Sequence, residues 1–571
     1  MPGTMKRIRI TIAMFTLLIV ALGLLIWRCW YLQYSKAEHY SAVSIKQQEG
    51  FIGLKPQRGV ILDCRGRVLA ASNEVQTIFA EPRLLDDPKE TSTALAPILD
   101  MGAHIICELI NDSKNPGFAK IVIGADVNQC IAADRVYGVG VQSDWQRHYP
   151  MGGLTAHVVG FTSIDNLGLE GIELQYQKEL TGSAGKNVFL ADAFRRPVRL
   201  KQISGVSDGV GIILTIDATI QQFAHAELSK QVESYQAESG VAVVAEPKTG
   251  AILAMVSMPD FDPTNLNSAD ANDLRNRTIS DQFEPGSLIK PIIVAIALDD
   301  KTVNRTEKIF CENGSYSGKG FGRIGEYRRG FADLTVREIL VNSSNIGMAK
   351  IGQRMGKGKL YKGLTFFGFG KETGIDLPGE APGLLWPPEK WTGYSVTRIP
   401  FGQEITVTAM QLVRGFCILA NGGHPVRPHL VRAMVDNNGE IIPRPYFETA
   451  KQSNIGYVVS PEVAKWVVTD PMVGVVNEGT GTRAKLKKWK VFGKTGTANI
   501  AKPNERGYSE RDYVASFVAG APADDPAVIV LVSIRRPNVS LGKGYTGGAV
   551  ASPVAAAILE KTLTYLEKHP L

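Results

Sequence analysis

Three short motifs, in one chain order, bring together residue types that could carry out acyl transfer: Ser287-Leu288-Ile289-Lys290, Ser343-Ser344-Asn345 and Lys494-Thr495-Gly496-Thr497. A serine hydroxyl is a weak nucleophile until a neighbouring base removes its proton. A lysine can be that base if its surroundings lower its pKa. A Ser-x-Asn triplet adds polar groups, and a second lysine can hold an anionic substrate group as a point charge.

Each motif alone is weak. Ser183-Ala184-Gly185-Lys186 and Ser540-Leu541-Gly542-Lys543 also fit S-x-x-K, Ser113-Lys114-Asn115 fits S-x-N, and Lys248-Thr249-Gly250 fits K-T-G. Context separates them. Phe283-Glu284-Pro285-Gly286 precedes Ser287, and the apolar run Pro291–Leu298 follows Lys290, so a Pro/Gly break feeds a helix. Residues three apart on a helix share a face, which places Lys290 one turn beyond Ser287. Ser183 and Ser540 lie in polar, glycine-containing stretches. Lys248-Thr249-Gly250 sits between the apolar runs Val241–Ala245 and Ala251–Met255 and reads as a hairpin turn.

The elements that must position these residues are partly legible. Val210–Asp217 reads as a strand, with Asp217 capping a helix from Ala218 to Val232. Gln57–Asp63 reads as a strand, Glu173–Leu180 as a helix stopped by Gly182, Ile529–Ile534 as a buried strand, and Ala549–Leu566 as a closing amphipathic helix. Strands and helices without regular alternation predict an α+β fold with an antiparallel sheet.

At the N-terminus, Lys6, Arg7 and Arg9 precede an almost entirely apolar run from Ile10 to Ile26. Such a run spans a bilayer core, and the preceding basic residues place the N-terminus in the cytoplasm. Trp27, Arg28, Cys29, Trp30 and Tyr31 form an aromatic belt rather than a small-residue cleavage site, so the segment is expected to remain as an anchor. Residues 36–50 are a polar linker. The net charge of +7 is spread widely, and the densest basic cluster, Lys485-Leu486-Lys487-Lys488-Trp489-Lys490, reads as a solvated loop, so no nucleic-acid partner is expected. Six scattered cysteines show no ligand spacing, so no metal is expected; Cys107 and Cys130 are a candidate disulfide pair, not relied on here. No histidine stands in a Ser-His-Asp arrangement, which strengthens Lys290 as the base.

In combination with these motifs, Arg58-Gly59-Val60-Ile61-Leu62-Asp63, Gly168-Leu169-Glu170-Gly171-Ile172-Glu173, Leu214-Thr215-Ile216-Asp217, Pro247-Lys248-Thr249-Gly250 and Phe401-Gly402-Gln403-Glu404-Ile405-Thr406 are specific. The chain resembles the class B penicillin-binding proteins, the peptidoglycan D,D-transpeptidases, over nearly everything after the anchor. Gly160-Phe161-Thr162 with Asp165 and Gly168 looks most like the septal, cell-division branch. Two departures stand out: Cys64 in Asp63-Cys64-Arg65-Gly66, where the family commonly has arginine, and Glu246 before Pro247, where it commonly has aspartate.

The resemblance implies a cytoplasmic tail (1–9), a transmembrane anchor (10–32), a pedestal, dimerisation-like module (36–225) and a serine β-lactamase-like transpeptidase domain (226–571) outside the cytoplasm. It implies that Ser287 attacks a D-Ala-D-Ala stem peptide, Lys290 acts as base, Ser343 shuttles a proton, and Asn345 bonds Lys290 and the substrate amide. Lys494 would hold the substrate carboxylate, with Thr495, Gly496 and Thr497 lining its site. Backbone N–H groups of Ser287 and Thr497 would form the oxyanion hole. β-Lactams would acylate Ser287. No cofactor is implied. Expected partners are peptidoglycan stem peptides, a membrane glycan polymerase and divisome proteins. The rival readings are elongation or sporulation duty within the same family, a β-lactamase or β-lactam sensor, and an inactive scaffold. The pedestal argues against a β-lactamase, and the intact motifs argue against a scaffold.

Overall fold

Along Val241–Ala245, successive side chains enter two different hydrophobic cores: Val241, Val243 and Ala245 join one, Ala242 and Val244 the other. A strand buried on both faces must do this, because its side chains alternate with a period of two. The computed structural model describes residues 2–41, 49–191, 197–326, 330–443, 456–502, 505 and 507–570. There this segment lies in a five-stranded antiparallel sheet, in the order Ile252–Met258, Ser239–Ala245, Val528–Arg535, Tyr508–Ala521, Phe492–Ala501. Helices Ala218–Ser234 and Ser552–Lys568 cover one face; Lys290–Asp299, Asn345–Phe366 and Ala409–Ala420 build the core on the other. This is the expected α+β arrangement, an antiparallel sheet between helical layers. The Lys494 motif lies on Phe492–Ala501, an edge strand of the sheet.

A second sheet runs Ile441–Pro443, Val431–Val435, Gly211–Leu214, Ile61–Leu62, Val68–Ala80, Ala119–Ile123, with Val139–His148 also paired to Val68–Ala80. Its first two strands come from the C-terminal half of the chain. The strand expected over Gln57–Asp63 is only Ile61–Leu62, because Gln57, Arg58 and Gly59 spend their polar groups elsewhere. The helix expected to end at Leu180 is two short pieces, Gly171–Gln175 and Gln177–Thr181. Asp217 caps the helix Ala218–Ser234 through Thr219 N, as expected, and that helix runs across the 225/226 division.

The Arg58 and Glu173 motifs meet in a buried ion cluster. Glu173, fully buried, takes Arg58 Nε at 2.5 Å and Arg147 Nε at 2.7 Å, one on each carboxylate oxygen. Arg58 also donates to Asn166 O, Thr181 Oγ1 and Glu173 O. The glycines of the same motifs permit close backbone approach: a Cβ on Gly160 would lie 1.8 Å from Glu170 O. Around the Cys64 departure, Arg65 and Arg67 both pair with the buried Asp217, at 2.7 and 2.6 Å, and Arg65 also donates to His569 O at the C-terminal helix. Burial, with the carboxylates of Asp217 and Asp63, pushes the Cys64 thiol up to about 12. All six cysteines are free, Cys107 and Cys130 included.

A separate compact unit comprises residues 1–56 and 182–208. It contains a helix Pro2–Trp30, continued by one wider turn to Ser35, and an antiparallel sheet of Glu49–Leu54, Gly185–Ala191 and Pro197–Ser204. The segment Thr4–Ser35 is long and apolar enough to cross a membrane.

Removing one member of a buried ion cluster leaves the others uncompensated, which costs about 3–5 kcal/mol. Glu173→Ala is therefore expected to lower the denaturation midpoint sharply while Glu173→Gln lowers it less, checked by thermal unfolding of purified protein; equal midpoints for wild type and Glu173→Ala would refute the role given to the cluster.

Candidate active site

Ser287 lies on a single 3-10 turn, Gly286–Ile289, and the α-helix begins at Lys290 with Pro291 in its first turn. The serine is thus just outside the α-helix expected to carry it. In a 3-10 turn residues i and i+3 eclipse, so Ser287 and Lys290 share a side more directly than on an α-helix. Every residue of the helix from Lys290 to Leu298 is buried. That burial, worth about 1.5–3 kcal/mol for each large apolar side chain, fixes the lysine in place.

The turn is held by close backbone approach and by a few side-chain contacts. Gly286 N donates to Gly402 O, and a Cβ on Gly402 (φ +88°) would stand 2.1 Å from Gly286 O. A Cβ on Gly496 would stand 2.8 Å from Leu288 Cγ. Glu284 Oε1 accepts from Glu404 N and from Tyr508 Oη, both at 3.0 Å. The Phe401-Gly402-Gln403-Glu404 motif therefore seats the nucleophile turn, and Gly496 lets the edge strand approach it.

Lys290 is fully buried. Its Nζ donates to Ser343 O at 2.6 Å, Asn345 Oδ1 at 2.8 Å and Ser343 Oγ at 3.3 Å. Desolvation pushes its pKa down to about 7, against a smaller upward pull from Glu326. Lys494, also fully buried, donates to Ser343 Oγ at 2.9 Å and to Thr495 O at 3.2 Å. Burial, and secondarily the charge of Lys290, lower its pKa well below the ordinary lysine value. One serine hydroxyl thus bridges the two amines.

The triplet divides its duties. Ser343 adopts a left-handed backbone (φ +58°) between the helices Val336–Val341 and Asn345–Phe366. Ser344, not Ser343, is the N-cap, accepting from Gly347 N at 2.9 Å. Asn345 is the first helical residue; its Oδ1 meets Lys290 and its Nδ2 donates to Gly325 O at 3.1 Å. The structure so brings together Lys290, Ser343, Asn345 and Lys494 by direct hydrogen bonds, with Ser287 on the turn leading into Lys290. The threonine hydroxyls are engaged: Thr495 Oγ1 bonds Thr480 Oγ1 at 2.6 Å, and Thr497 Oγ1 accepts from Gly547 N at 3.0 Å. The decoy motifs stay elsewhere: Lys248-Thr249-Gly250 is the turn between two sheet strands, and Ser540 lies on the short 3-10 helix Val539–Leu541.

Sequence reasoning missed Thr480, Tyr508 and Glu326, which lack any short-range pattern tying them to the motifs, and gave Glu284, three residues before Ser287, no role. Glu326 accepts from Ser344 Oγ, Asn345 N and Ile346 N. Among the described residues no group of three or more His, Cys, Asp and Glu side chains stands together as a metal site would need. A serine on a fixed turn, a buried amine of pKa near neutrality, and a second buried amine reached through a hydroxyl together suit a covalent acyl-transfer reaction on an anionic substrate.

Comparison with known proteins agrees. Residues 240–560 match the model of the penicillin-binding protein transpeptidase domain, and residues 54–214 that of the penicillin-binding protein dimerisation domain. The chain is 33% identical to Stage V sporulation protein D of Bacillus subtilis, over 99% of this chain and 88% of that protein. It is 31% identical to the peptidoglycan D,D-transpeptidase FtsI of Escherichia coli K12, over 90% and 84%. Among solved structures, penicillin-binding protein 3 of Mycobacterium tuberculosis complexed with aztreonam superposes with a TM-score of 0.69 at 25% identity, covering 91% of this chain and 98% of that one.

Two outcomes follow. Acylation of Ser287 should rise with pH through an acid limb near the Lys290 value of about 7, because only the neutral amine accepts the hydroxyl proton. The rate profile of Ser287 acylation checks this, and a profile flat through neutrality would refute it. Gly402→Ala should slow acylation by about 10²-fold, since displacing a reacting group by about 1 Å has that effect; an unchanged rate would show that the Gly286 contact does not set the turn.

Proposed function

We propose that this chain, which belongs to the penicillin-binding protein transpeptidases, is a membrane-anchored serine D,D-transpeptidase that cross-links peptidoglycan stem peptides. The observation that carries the reading is the Ser343 hydroxyl joined to Lys290 and Lys494 beside the turn that holds Ser287.

In this reading Ser287 Oγ attacks the carbonyl carbon of the penultimate D-Ala and its proton passes to neutral Lys290. Ser343, already bonded to both lysines, relays a proton to the amine of the departing D-Ala as the C–N bond breaks. An ester on Ser287 remains. The amine of a neighbouring stem peptide then attacks that ester, gives up a proton along the same path, and releases Ser287 with a peptide cross-link formed. Lys494, when protonated, holds the terminal carboxylate, with Thr495, Gly496 and Thr497 lining that end of the site. Backbone N–H groups of Ser287 and Thr497 stabilise the developing oxyanion, a contribution of about 10²–10³ in rate per donor. Asn345 holds Lys290 and meets the substrate amide. The edge position of Phe492–Ala501 suits an extended peptide lying alongside it.

The basic residues Lys6, Arg7 and Arg9 before the apolar helix support a cytoplasmic N-terminus and a catalytic domain outside. The boundaries at 1–9, 10–32, 36–225 and 226–571 remain our division of the chain, with a membrane glycan polymerase and divisome proteins as partners. The Gly160-Phe161-Thr162 pattern supports septal duty. A second reading, duty in sporulation, is favoured by the 33% identity to a sporulation protein over almost the whole chain. Filamentation on depletion would support the first; normal division with defective spores would support the second.

Full-length protein in detergent should form a stable adduct with a fluorescent penicillin, mapped by peptide mass spectrometry to Ser287 and lost in Ser287→Ala. An adduct on another serine, or none on folded protein, would overturn the assignment; rapid turnover of a chromogenic β-lactam would favour a β-lactamase.

A further inference from the structure

Among the described residues, the carboxylate of Glu326 is the acidic group seated directly on the Ser343 triplet. It follows the strand Gly322–Gly325, half of a small hairpin with Ser315–Gly318. The hairpin is fixed by the buried Ile324 and by Arg398, whose Nη2 donates to Arg323 O at 2.9 Å. Glu326 Oε1 accepts from Ser344 Oγ at 2.5 Å and Ile346 N at 3.0 Å; Oε2 accepts from Asn345 N at 2.8 Å. The first N–H groups of a helix have no partner within it and carry the positive end of its dipole. In the 22-residue helix Asn345–Phe366 two of them are taken by Glu326, and Gly347 N by Ser344.

The same dipeptide holds Asn345 from a second side. Gly325 O accepts from Asn345 Nδ2 at 3.1 Å, which leaves Oδ1 turned to Lys290 Nζ at 2.8 Å. Ser343, immediately before the capped turn, is in a left-handed conformation that a non-glycine residue keeps only when its surroundings impose it. Its carbonyl and hydroxyl oxygens are the other two partners of Lys290. All three acceptors of the Lys290 amine therefore stand on a turn whose free N–H groups Glu326 binds.

We propose, building on the transpeptidase reading, that Glu326 is a positioning residue of the acyl-transfer site: it fixes the Ser343–Asn345 turn against Lys290 and stands as the opposite charge beside that amine. Glu326 touches no reacting atom in this role. The charged and titratable groups facing this corner are Lys290 on its own helix, Lys494 on the edge strand, Cys311 beside Ser344, and Lys350, which is held by Glu312 at 2.5 Å. Glu326 is the acidic neighbour that opposes the desolvation of Lys290.

The test is the pH profile of Ser287 acylation by fluorescent penicillin, read on full-length wild type, Glu326→Gln and Glu326→Asp in detergent. The glutamine keeps an acceptor but loses the charge. Its acid limb should move to lower pH by about one unit, because removing an opposite charge disfavours the ammonium. The aspartate keeps the charge on a shorter stem. Its limb should stay at the wild-type position while its plateau rate falls by about tenfold or more, as expected of a displaced site. A merely structural role would lower the melting temperature and leave the limb where it was. A glutamine limb and plateau equal to wild type overturn the proposal alone, as does an aspartate limb shifted like that of glutamine. If wild type itself forms no adduct on Ser287, the transpeptidase reading fails, and this proposal falls with it.

Discussion

Two lysine amines end in the protein interior, and their shared contact with one hydroxyl is the constraint around which the site is built. Lys290 and Lys494 are both fully buried, and both donate to Ser343 Oγ. An ammonium taken out of water is costly unless it is paired or gives up its proton. Two of them near one oxygen also repel each other, more strongly in a poorly polarisable interior. The arrangement therefore favours a state in which at least one amine is neutral, which is what a base near neutral pH requires. The reactivity is drawn from the core itself. The apolar helix that buries Lys290 is the same one that anchors the turn carrying Ser287.

Such a site tolerates little slack, and the fold removes it by bringing backbones together. Gly402 lies against Gly286, Gly496 against Leu288 and Pro285, and Gly547 against Gly496 O, which a Cβ at position 547 would approach to 2.3 Å. Four stretches far apart in sequence meet where a glycine leaves no side chain between them. Packed interiors transmit small displacements rather than absorbing them, so the position of Ser287 depends on glycines at the contacts of its turn.

This explains what the sequence could and could not disclose. The catalytic candidates were legible because their chemistry demands particular side chains at short spacing, and because the Pro285-Gly286 break and the apolar run after Lys290 distinguish Ser287 from the two decoy serines. The hairpin of Val241–Ala245 with Ala251–Met255 and the cap at Asp217 were legible from local pattern. The division of labour inside Ser343-Ser344-Asn345 was not, because which serine caps the helix depends on a left-handed residue that neither serine signals. The pairing of Arg58 with Glu173 spans 115 residues, and that of Glu326 with Asn345 spans 19; nothing in the chain marks such partners until the strands place them. The Gln57–Asp63 strand came out shorter than its apolar pattern suggested because the backbone of its first residues is bonded elsewhere, Gln57 O accepting from Gly209 N and Gly59 N donating to Leu180 O.

The second sheet carries the same logic into the body of the molecule. Gly211–Leu214 pairs with Ile61–Leu62 on one side and with Val431–Val435 on the other, so the pedestal's sheet is completed by a strand from the catalytic half. Asp63, Arg65, Arg67 and Asp217 join that sheet to the first helix of the catalytic core, and Tyr565 Oη reaches Asp217 from the last. Residues 57–181 and 209–571 accordingly form one compact unit. A cut at 225/226 would divide a continuous helix and strip the strand Val431–Val435 of its partner, exposing an edge that invites non-native pairing. Residues 57–181 are thus part of the scaffold that the sheet of residues 211–214 and 431–435 completes, which gives a physical reason for these segments to stay on one chain although the candidate acyl-transfer residues lie after residue 286.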